Sequence, residues 1–174
     1  LLLDQHRGRG RLQDEAEASI LEDADLDGDD EPHLIARAVV EFLDERGNVD
    51  AVAAERSGAK RLELNSALVL GGLTPSWGLL GEVVRAVQIP IIVMIRPRAG
   101  GFVYSSSEID VMRRDVVAAT TGAAKGVVFG PLTPQGEIDV PAVERLVKAA
   151  GNAQTIFHRA FDLCTDPIAA LELL

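Results

Sequence analysis

Short runs of apolar, β-branched residues alternate with longer amphipathic segments from about residue 38 onward. The apolar runs predict five strands, over residues 38–43, 61–65, 91–96, 126–130 and 154–158. The runs 91–95 and 127–129 are apolar at successive positions. That pattern is typical of strands covered on both faces, as in a parallel sheet.

Between the strands, apolar residues recur at helical spacing, which predicts helices over 76–88, 106–121 and 139–150. Each helix has one apolar face, made respectively of Trp77, Leu80, Val83, Val84 and Val87; of Ile109, Met112, Val116 and Ala119; and of Val140, Val143, Leu146, Val147 and Ala150.

Capping residues agree with these helix boundaries. Side chains that can accept the first free backbone N–H groups are Ser76, Ser106 or Ser107, and Asp139. Glycines at the predicted helix ends should adopt a left-handed closing conformation; they are Gly58, Gly122 and Gly151.

Strands that alternate with helices indicate βαβ units and therefore an α/β fold. Two architectures are compatible with this alternation, a closed (β/α)8 barrel and an open doubly wound sheet. No G-x-G-x-x-G motif follows the first predicted strand. The sequence thus lacks the signature of a dinucleotide-binding sheet, and no nucleotide cofactor is predicted.

The acidic charge of the chain is concentrated near its N-terminus. The formal net charge is −10, and residues 14–31 hold ten acids with no lysine or arginine. Residues 34–174 hold 16 acids against 14 basic residues, so they are nearly neutral. Residues 1–33 offer little apolar surface to offset the entropy cost of ordering. We predict a disordered acidic leader over 1–33, with an interaction tail as the alternative, and a folded domain over 34–174.

The charge balance also bears on partners and location. Nucleic acid and anionic membrane surfaces both require a basic face, so neither is predicted as a partner. The longest apolar run, 89–95, is much shorter than a membrane span. Cys164 is the single cysteine and cannot form an internal disulfide, which is typical of a reducing compartment. Because the sequence begins with Leu1 rather than Met, we interpret it as a fragment.

Polar residues follow or interrupt three predicted strands near their C-terminal ends. Glu63 and Asn65 lie at the end of the second strand, and Arg96 and Arg98 follow the third. The fifth strand leads into a polar set that comprises His158, Arg159 and Asp162. Functional sites in βα folds lie at the C-terminal ends of the strands, so these side chains should meet at one rim.

Three of these residues are catalytic candidates. Glu63 or His158 would move a proton, since imidazole titrates near neutrality, and His158 could instead be a metal ligand. Asp162 is the third candidate. The alternatives are structural, with Glu63 paired to an arginine such as Arg96 and His158 held by hydrogen bonds within the fold.

The remaining rim residues are ligand-binding candidates. Arg96, Arg98 and Arg159, together with Asn65, would hold a carboxylate or phosphate, since the forked guanidinium group matches such anions. The alternative is that Arg96 or Arg98 braces the rim. The glycine-rich loop 71–76 could bind an anion at the following helix N-terminus or could form a structural turn.

Five segments in register resemble the copper homeostasis protein CutC family. They read GAKRLEL from residue 58, GGLTPS from 71, VMIRPR from 93, GVVFG from 126 and FHRAFD from 157. The resemblance implies a TIM-type (β/α)8 barrel, truncated here to about its first five βα units. It further implies a cytoplasmic location, homo-oligomers, and a role in copper homeostasis with copper binding.

The cysteines that could bind copper differ between this sequence and the family pattern. Family members often have a cysteine in the first strand and another after the Glu-Leu of the second. Here residues 39–43 contain no cysteine, and the second position is Asn65. Cu(I) prefers thiolate and thioether ligands, and the sequence offers Cys164, Met94 and Met112. Cys164 is the metal-ligand candidate because it lies near the predicted rim.

Three functional hypotheses follow. The first is copper homeostasis, by copper binding or indirectly. The second is a TIM-barrel enzyme acting on a small anionic metabolite through the glutamate, arginine and histidine rim. The third is a fragment without a function of its own, since missing units would leave a sheet edge unpaired.

Overall fold

The computed structural model describes the backbone of residues 20–21, 37–40 and 50–174, and the side chains from residue 51 onward. The strands within these ranges are β1 Ile20–Leu21, β2 Arg37–Val40, β3 Arg61–Leu64, β4 Ile91–Met94, β5 Gly126–Phe129 and β6 Gln154–Phe157. Its α-helices are α1 Asp50–Arg56, α2 Trp77–Ala86, α3 Ser106–Thr121, α4 Val140–Ala150 and α5 Pro167–Glu172. Two 3-10 helices, η1 Leu68–Leu70 and η2 Arg159–Leu163, follow β3 and β6.

The strand order distinguishes the two architectures that the sequence left open. Strands β2 to β6 are parallel, and each one pairs with the strand before it along the chain. A doubly wound sheet would reverse this order at a switch point, whereas a (β/α)8 barrel keeps it sequential. The fold is therefore α/β, with the arrangement of a partial TIM-type barrel.

The predicted strands and helices are confirmed to within a few residues over 50–174. The first strand is observed at Arg37–Val40, and residues 41–43 of its predicted range lie outside the described residues. The predicted leader also lies outside them, except for Ile20–Leu21, which pair antiparallel with β2. Within the described ranges, no helix combines the length and apolar character needed to cross a membrane.

The strands are buried on two faces with different neighbours. Side chains such as Leu62, Val93 and Val127 pack with the helices in the main core. The alternate positions, Ile92, Met94 and Val128, form a second small cluster that Ile156 joins. Strands β4 and β5 are thus buried throughout, as their continuous apolar runs predict. The second cluster marks the face that would line a barrel interior.

The N-caps of the helices agree with the sequence in two of three cases. Ser76 and Asp139 accept hydrogen bonds from Leu79 and Ala142 N–H groups. The prediction of Ser106 or Ser107 for α3 is wrong, because Ser105 is the cap. Glu108 then falls at the third helical position and bonds back to the Ser105 N–H, completing a capping box.

The predicted left-handed glycines are also right in two of three cases. Gly58 and Gly151 have positive φ angles of 98° and 61°. Gly122 has φ −78°, and the left-handed residue is the following Ala123, at 72°. Residue 122 is limited to glycine for a different reason, since a Cβ there would approach Leu80 to 2.9 Å and the Trp77 ring to 3.1 Å.

Trp77 itself departs from its predicted place in the apolar face of α2. Its side chain is 57% exposed, whereas Leu80, Val83 and Val87 are buried as predicted. The indole lies at the first turn of the helix, beyond the part that packs on the sheet. Val147 on α4 is likewise exposed, whereas the rest of its predicted face packs in the core.

Candidate functional site

Four polar side chains are buried in the part of the chain with described side chains, and all four follow the interior face of the sheet. They are Glu63, Asn65, Arg96 and His158, with exposures of 1–7%. Glu63 is in register with Ile92, while Arg96 and His158 come two residues after Met94 and Ile156. The C-terminal end of the partial barrel therefore brings together residues from three strands, as the sequence predicts.

Glu63 and Asn65 meet at the end of β3. The Asn65 side-chain amide donates to Glu63 Oε1 at 3.2 Å. Its oxygen faces Gly72, where an added Cβ would lie only 2.4 Å away. Gly72 has a φ of +84°, so both its backbone angle and this close approach require glycine.

The buried guanidinium of Arg96 joins two loops. Its Nη1 donates to the carbonyl oxygens of Leu70, Gly71 and Gly72 at 3.0–3.2 Å, and its Nη2 donates to that of Gly100 at 2.6 Å. The group also lies over the Phe102 ring, 4.9 Å from its centroid. These contacts correspond to the bracing alternative for Arg96, and its role in ligand binding stays a prediction.

Arg159 approaches the same glycine from the other side of the rim. Its Nη2 donates to the Gly71 carbonyl at 3.4 Å, and the residue is exposed. Arg96 and Arg159 therefore converge on one peptide group. Because Arg159 is exposed, its guanidinium presents a positive charge to solvent beside the buried polar cluster.

His158 packs against Phe102 at the end of β6. Its ring centroid is 4.9 Å from that of Phe102, and Gly130 packs directly against its Nδ1. Nδ1 accepts a hydrogen bond from the Ala160 N–H at 3.1 Å and caps η2. This bond fixes the orientation of the ring, with Nδ1 turned towards the backbone of η2.

Arg98 points into the loop that precedes α3. Its guanidinium pairs with Glu108 and donates to the carbonyls of Gly101 and Val103. It also lies over the Tyr104 ring, 5.1 Å from the centroid. The Arg98 hydrogen bond, with those from Ser105, lowers the pKa of Glu108 to about 2. Arg98 thus ties the loop to the helix, and its predicted ligand role stays untested.

Asp162 and Cys164 belong to η2 and its C-cap. Asp162 is exposed, and Cys164 is half-buried, with its Sγ 3.9 Å from the Ala160 carbonyl oxygen. Burial, followed by the negative charge of Asp162, raises the pKa of the Cys164 thiol. The thiol form is therefore favoured over the thiolate that a metal would require.

Asn65 Oδ1 is a buried polar atom with no hydrogen-bond partner among the described residues. The buried Tyr104 hydroxyl lies beside the Arg96 guanidinium. Burial raises the pKa of Tyr104, partly offset by the nearby Arg96 guanidinium, so its hydroxyl stays protonated. A buried polar atom without a partner is costly, and a bound water or ligand would relieve that cost.

Two contributors to this site were not predicted from the sequence. Phe102 links Arg96 to His158, and Tyr104 covers Arg98. Both belong to the segment GGFVY at 100–104, in which two glycines precede two aromatic residues shortly after the arginines. That composition is the available signal, although a loop conformation is needed to bring the rings over the guanidinium groups.

The soft donors of the sequence do not form a common set. Met112 is fully buried in the main core and Cys164 packs at its edge, whereas Met94 belongs to the interior cluster. Among the described residues there is also no group of three or more His, Cys, Asp or Glu side chains arranged for a metal. The described residues therefore do not fit a copper(I) site built on thiolate and thioether sulfur.

Known proteins with similar sequences include members of one family. Copper homeostasis protein cutC homologs of Mus musculus and Homo sapiens are each 52% identical over 124 residues, which is 71% of this chain and 46% and 45% of theirs. A family protein CutC of Xanthomonas campestris pv. campestris is 49% identical over 122 residues, or 70% of this chain and 51% of its own.

The chain thus spans about half the length of the curated relatives it matches. The crystal structure of a CutC protein from Streptococcus agalactiae superimposes with a TM-score of 0.72 at 31% identity, covering 79% of this chain and 66% of that one. The model of the CutC family matches residues 46–174. The chain belongs to the CutC family.

Proposed function

We propose that the chain acts in copper homeostasis. The support is the identity of about one half with mouse and human relatives that bear that name. Since the chain spans about half of each relative, the proposal concerns its contribution to such a protein. A cytoplasmic location and homo-oligomeric assembly belong to the same proposal, and cell fractionation and light scattering of the longest expressed form would test them.

Direct copper(I) binding is the first question that this proposal raises. The test is a competition assay against a calibrated copper(I) chelator, on the chain and on its Cys164→Ser variant. Stoichiometric binding that is lost in the variant would establish Cys164 as a ligand, in spite of its raised pKa and distant sulfur neighbours. If neither protein binds copper(I), the contribution to copper homeostasis is indirect.

A second candidate function is the binding and conversion of a small carboxylate or phosphate at the C-terminal rim. The observation that favours it is the convergence of Arg96 and Arg159 beside buried Asn65 and His158. Buried polar groups gathered at the carboxyl ends of parallel strands are the usual basis of a βα site. Exposed Arg159 would attract and hold the anion, while Arg96 keeps the glycine-rich loop in position.

In such a site the proton chemistry would fall to His158 and Glu63. The His158 ring is oriented by the hydrogen bond that its Nδ1 accepts, and Glu63 is held near Asn65 at the end of β3. Exposed Asp162 is farther from a protected interior and is the least supported of the three catalytic candidates.

Anion binding is tested by titrating the chain with inorganic phosphate and with malonate, followed by NMR. Arg159→Gln is the informative variant, because it removes the exposed guanidinium without touching the Arg96 brace. Arg114→Gln, which removes an exposed arginine from α3, is the matched control. We expect at least a roughly tenfold weaker affinity for Arg159→Gln alone. Equal affinity in the two variants would exclude Arg159 as the anion-binding group.

A further inference from the structure

A pocket separate from the rim lies between α2, α3 and β4. Its volume is about 100 Å³. Most of its wall is apolar, formed by Leu80, Val93, Ala118 and Ala119. The polar groups that line it come from the turn before α2 and from one carboxylate on α3. A cavity of this size accommodates a molecule of only a few heavy atoms.

The carboxylate is that of Asp115, which is half-buried at the tenth position of α3. Among the described residues it is the charged group that lines the pocket, and no described lysine or arginine forms an ion pair with it. Thr74 hydrogen-bonds to it, yet burial outweighs that bond and raises the pKa of Asp115. An acid held in this way gains most from a ligand that brings positive charge.

Trp77 gives the pocket an aromatic edge. It is the one tryptophan of the sequence, and it remains more than half exposed although it lines the pocket. Its ring is held against the end of α3, where Gly122 leaves space for it. The face of an indole ring attracts cations more strongly than that of any other side chain.

We propose that this pocket binds a small alkylammonium ion. The Asp115 carboxylate accepts the ammonium N–H donors, the Trp77 indole covers the charge at the mouth, and Leu80 and Val93 contact the alkyl group. An anion is excluded by the unpaired carboxylate, and a larger cation is excluded by the volume. This site does not depend on ligand binding at the rim, although Thr74 also accepts the Arg96 backbone N–H at 2.9 Å.

The experiment is a titration of the 174-residue chain with ethylammonium chloride, at ionic strength held constant with potassium chloride. Because Trp77 is the single tryptophan, its fluorescence reports on this pocket alone. We expect a saturable change with a dissociation constant roughly in the millimolar range, as a ligand of three heavy atoms allows. Ethanol, which has the same shape without the charge, should produce no saturable change.

Variants identify the group that binds. Asp115→Asn should weaken ethylammonium binding at least tenfold, while Glu144→Gln, which removes an exposed carboxylate from α4, should leave it unchanged. Circular dichroism verifies that Asp115→Asn is folded. If it is not, the comparison of ethylammonium with ethanol on the unaltered chain decides. The proposal is overturned if ethylammonium and ethanol give equal responses, or if Asp115→Asn binds ethylammonium as tightly as the unaltered chain. It is also overturned if the response does not saturate by about 100 mM ethylammonium.

Discussion

At the scale of single residues, the arginine at the end of β4 shows how a buried charge is accommodated. Arg96 is 4% exposed, and four backbone carbonyls from two loops accept its N–H groups. Carbonyl dipoles and the Phe102 ring replace the water that the guanidinium loses. The same bonds hold the glycine-rich loop against the loop after β4, so the shape of the rim depends on this one side chain.

Arg96→Lys should therefore destabilise the chain strongly although it keeps the charge. A lysine ammonium cannot reach carbonyls on both loops, because its three donors radiate from one atom instead of a planar fork. We expect the free energy of unfolding to fall by about 2–4 kcal/mol, as measured by urea denaturation. Arg114→Lys on the exposed face of α3 is the control and should change it by less than about 0.5 kcal/mol. A small effect for Arg96→Lys would mean that the loops hold each other without the guanidinium.

Two glycines allow backbone strain and steric contact to be separated. Gly58 and Gly72 both have positive φ, but a Cβ on Gly58 would meet nothing within 4 Å, whereas one on Gly72 would lie 2.4 Å from Asn65 Oδ1. Gly58→Ala should cost about 1 kcal/mol of stability from strain alone. Gly72→Ala should cost clearly more, roughly 3 kcal/mol, and should perturb the NMR signals of the Asn65 side-chain amide. Equal costs would show that the loop yields at Gly72.

The sequence was enough to predict which residues lie at the rim, but not which contacts their side chains make. The positions of Glu63, Asn65, Arg96 and His158 follow from where the strands end. The partners of Arg96 depend on the path of loops 68–72 and 99–104, which is set by tertiary contacts between residues 24 to 26 positions apart. No local sequence pattern distinguishes an arginine that hydrogen-bonds to loop carbonyls from one that binds an anionic ligand.

At the scale of secondary-structure elements, α3 begins with three charged or polar interactions that support each other. Ser105 and Glu108 form the capping box, and Arg98 from the preceding loop pairs with the same glutamate. The sequence offered three consecutive serines, each able to cap a helix. Glu108 decides among them, since only Ser105 has a glutamate three residues later.

The stability contributed by Glu108 should depend on pH in a defined window. Its pKa falls from 4.5 to about 2 on folding, so the folded state favours the ionised form. The contribution is complete above pH 4.5 and is lost as the pH falls from there towards 2. Glu108→Gln should lower the urea midpoint at pH 7, and the difference from the unaltered chain should shrink at pH 3.

The exposed Glu144→Gln is the control for that comparison, because it removes one carboxylate without touching a cap. Its difference from the unaltered chain should not vary in the same way with pH. If Glu108→Gln lowered the urea midpoint as much at pH 3 as at pH 7, Glu108 would stabilise the fold through packing. The ion pair with Arg98 would then contribute little to stability.

At the scale of the whole molecule, the strand order is what assigns the fold. Short apolar runs and apolar patterns of period 3.6 were enough to predict β3 to β6 and α2 to α4, because burial on one or two faces dictates where apolar residues fall, whereas η1, η2 and α5 were not predicted. These patterns could not choose between a barrel and an open sheet, since both require the same buried strands. The resemblance to the CutC family made that choice, and the sequential parallel pairing of β2 to β6 confirms it.

The sheet should be unevenly stable, and the candidate site spans its stable and labile parts. Strands β4 and β5 are buried throughout and hydrogen-bonded on both sides, whereas β6 is partly exposed along its length and, within the described residues, pairs with β5 alone. Amide hydrogens of β6 should therefore exchange at least about tenfold faster than those of β4 and β5, after correction for intrinsic rates. Hydrogen exchange of the 174-residue chain followed by NMR measures this directly. Because His158 follows β6 and Arg96 follows β4, faster exchange in β6 would mean that the histidine side of the rim opens while the arginine side stays closed. Equal protection across the three strands would instead mean that His158 and Arg96 open together, as parts of one cooperative unit.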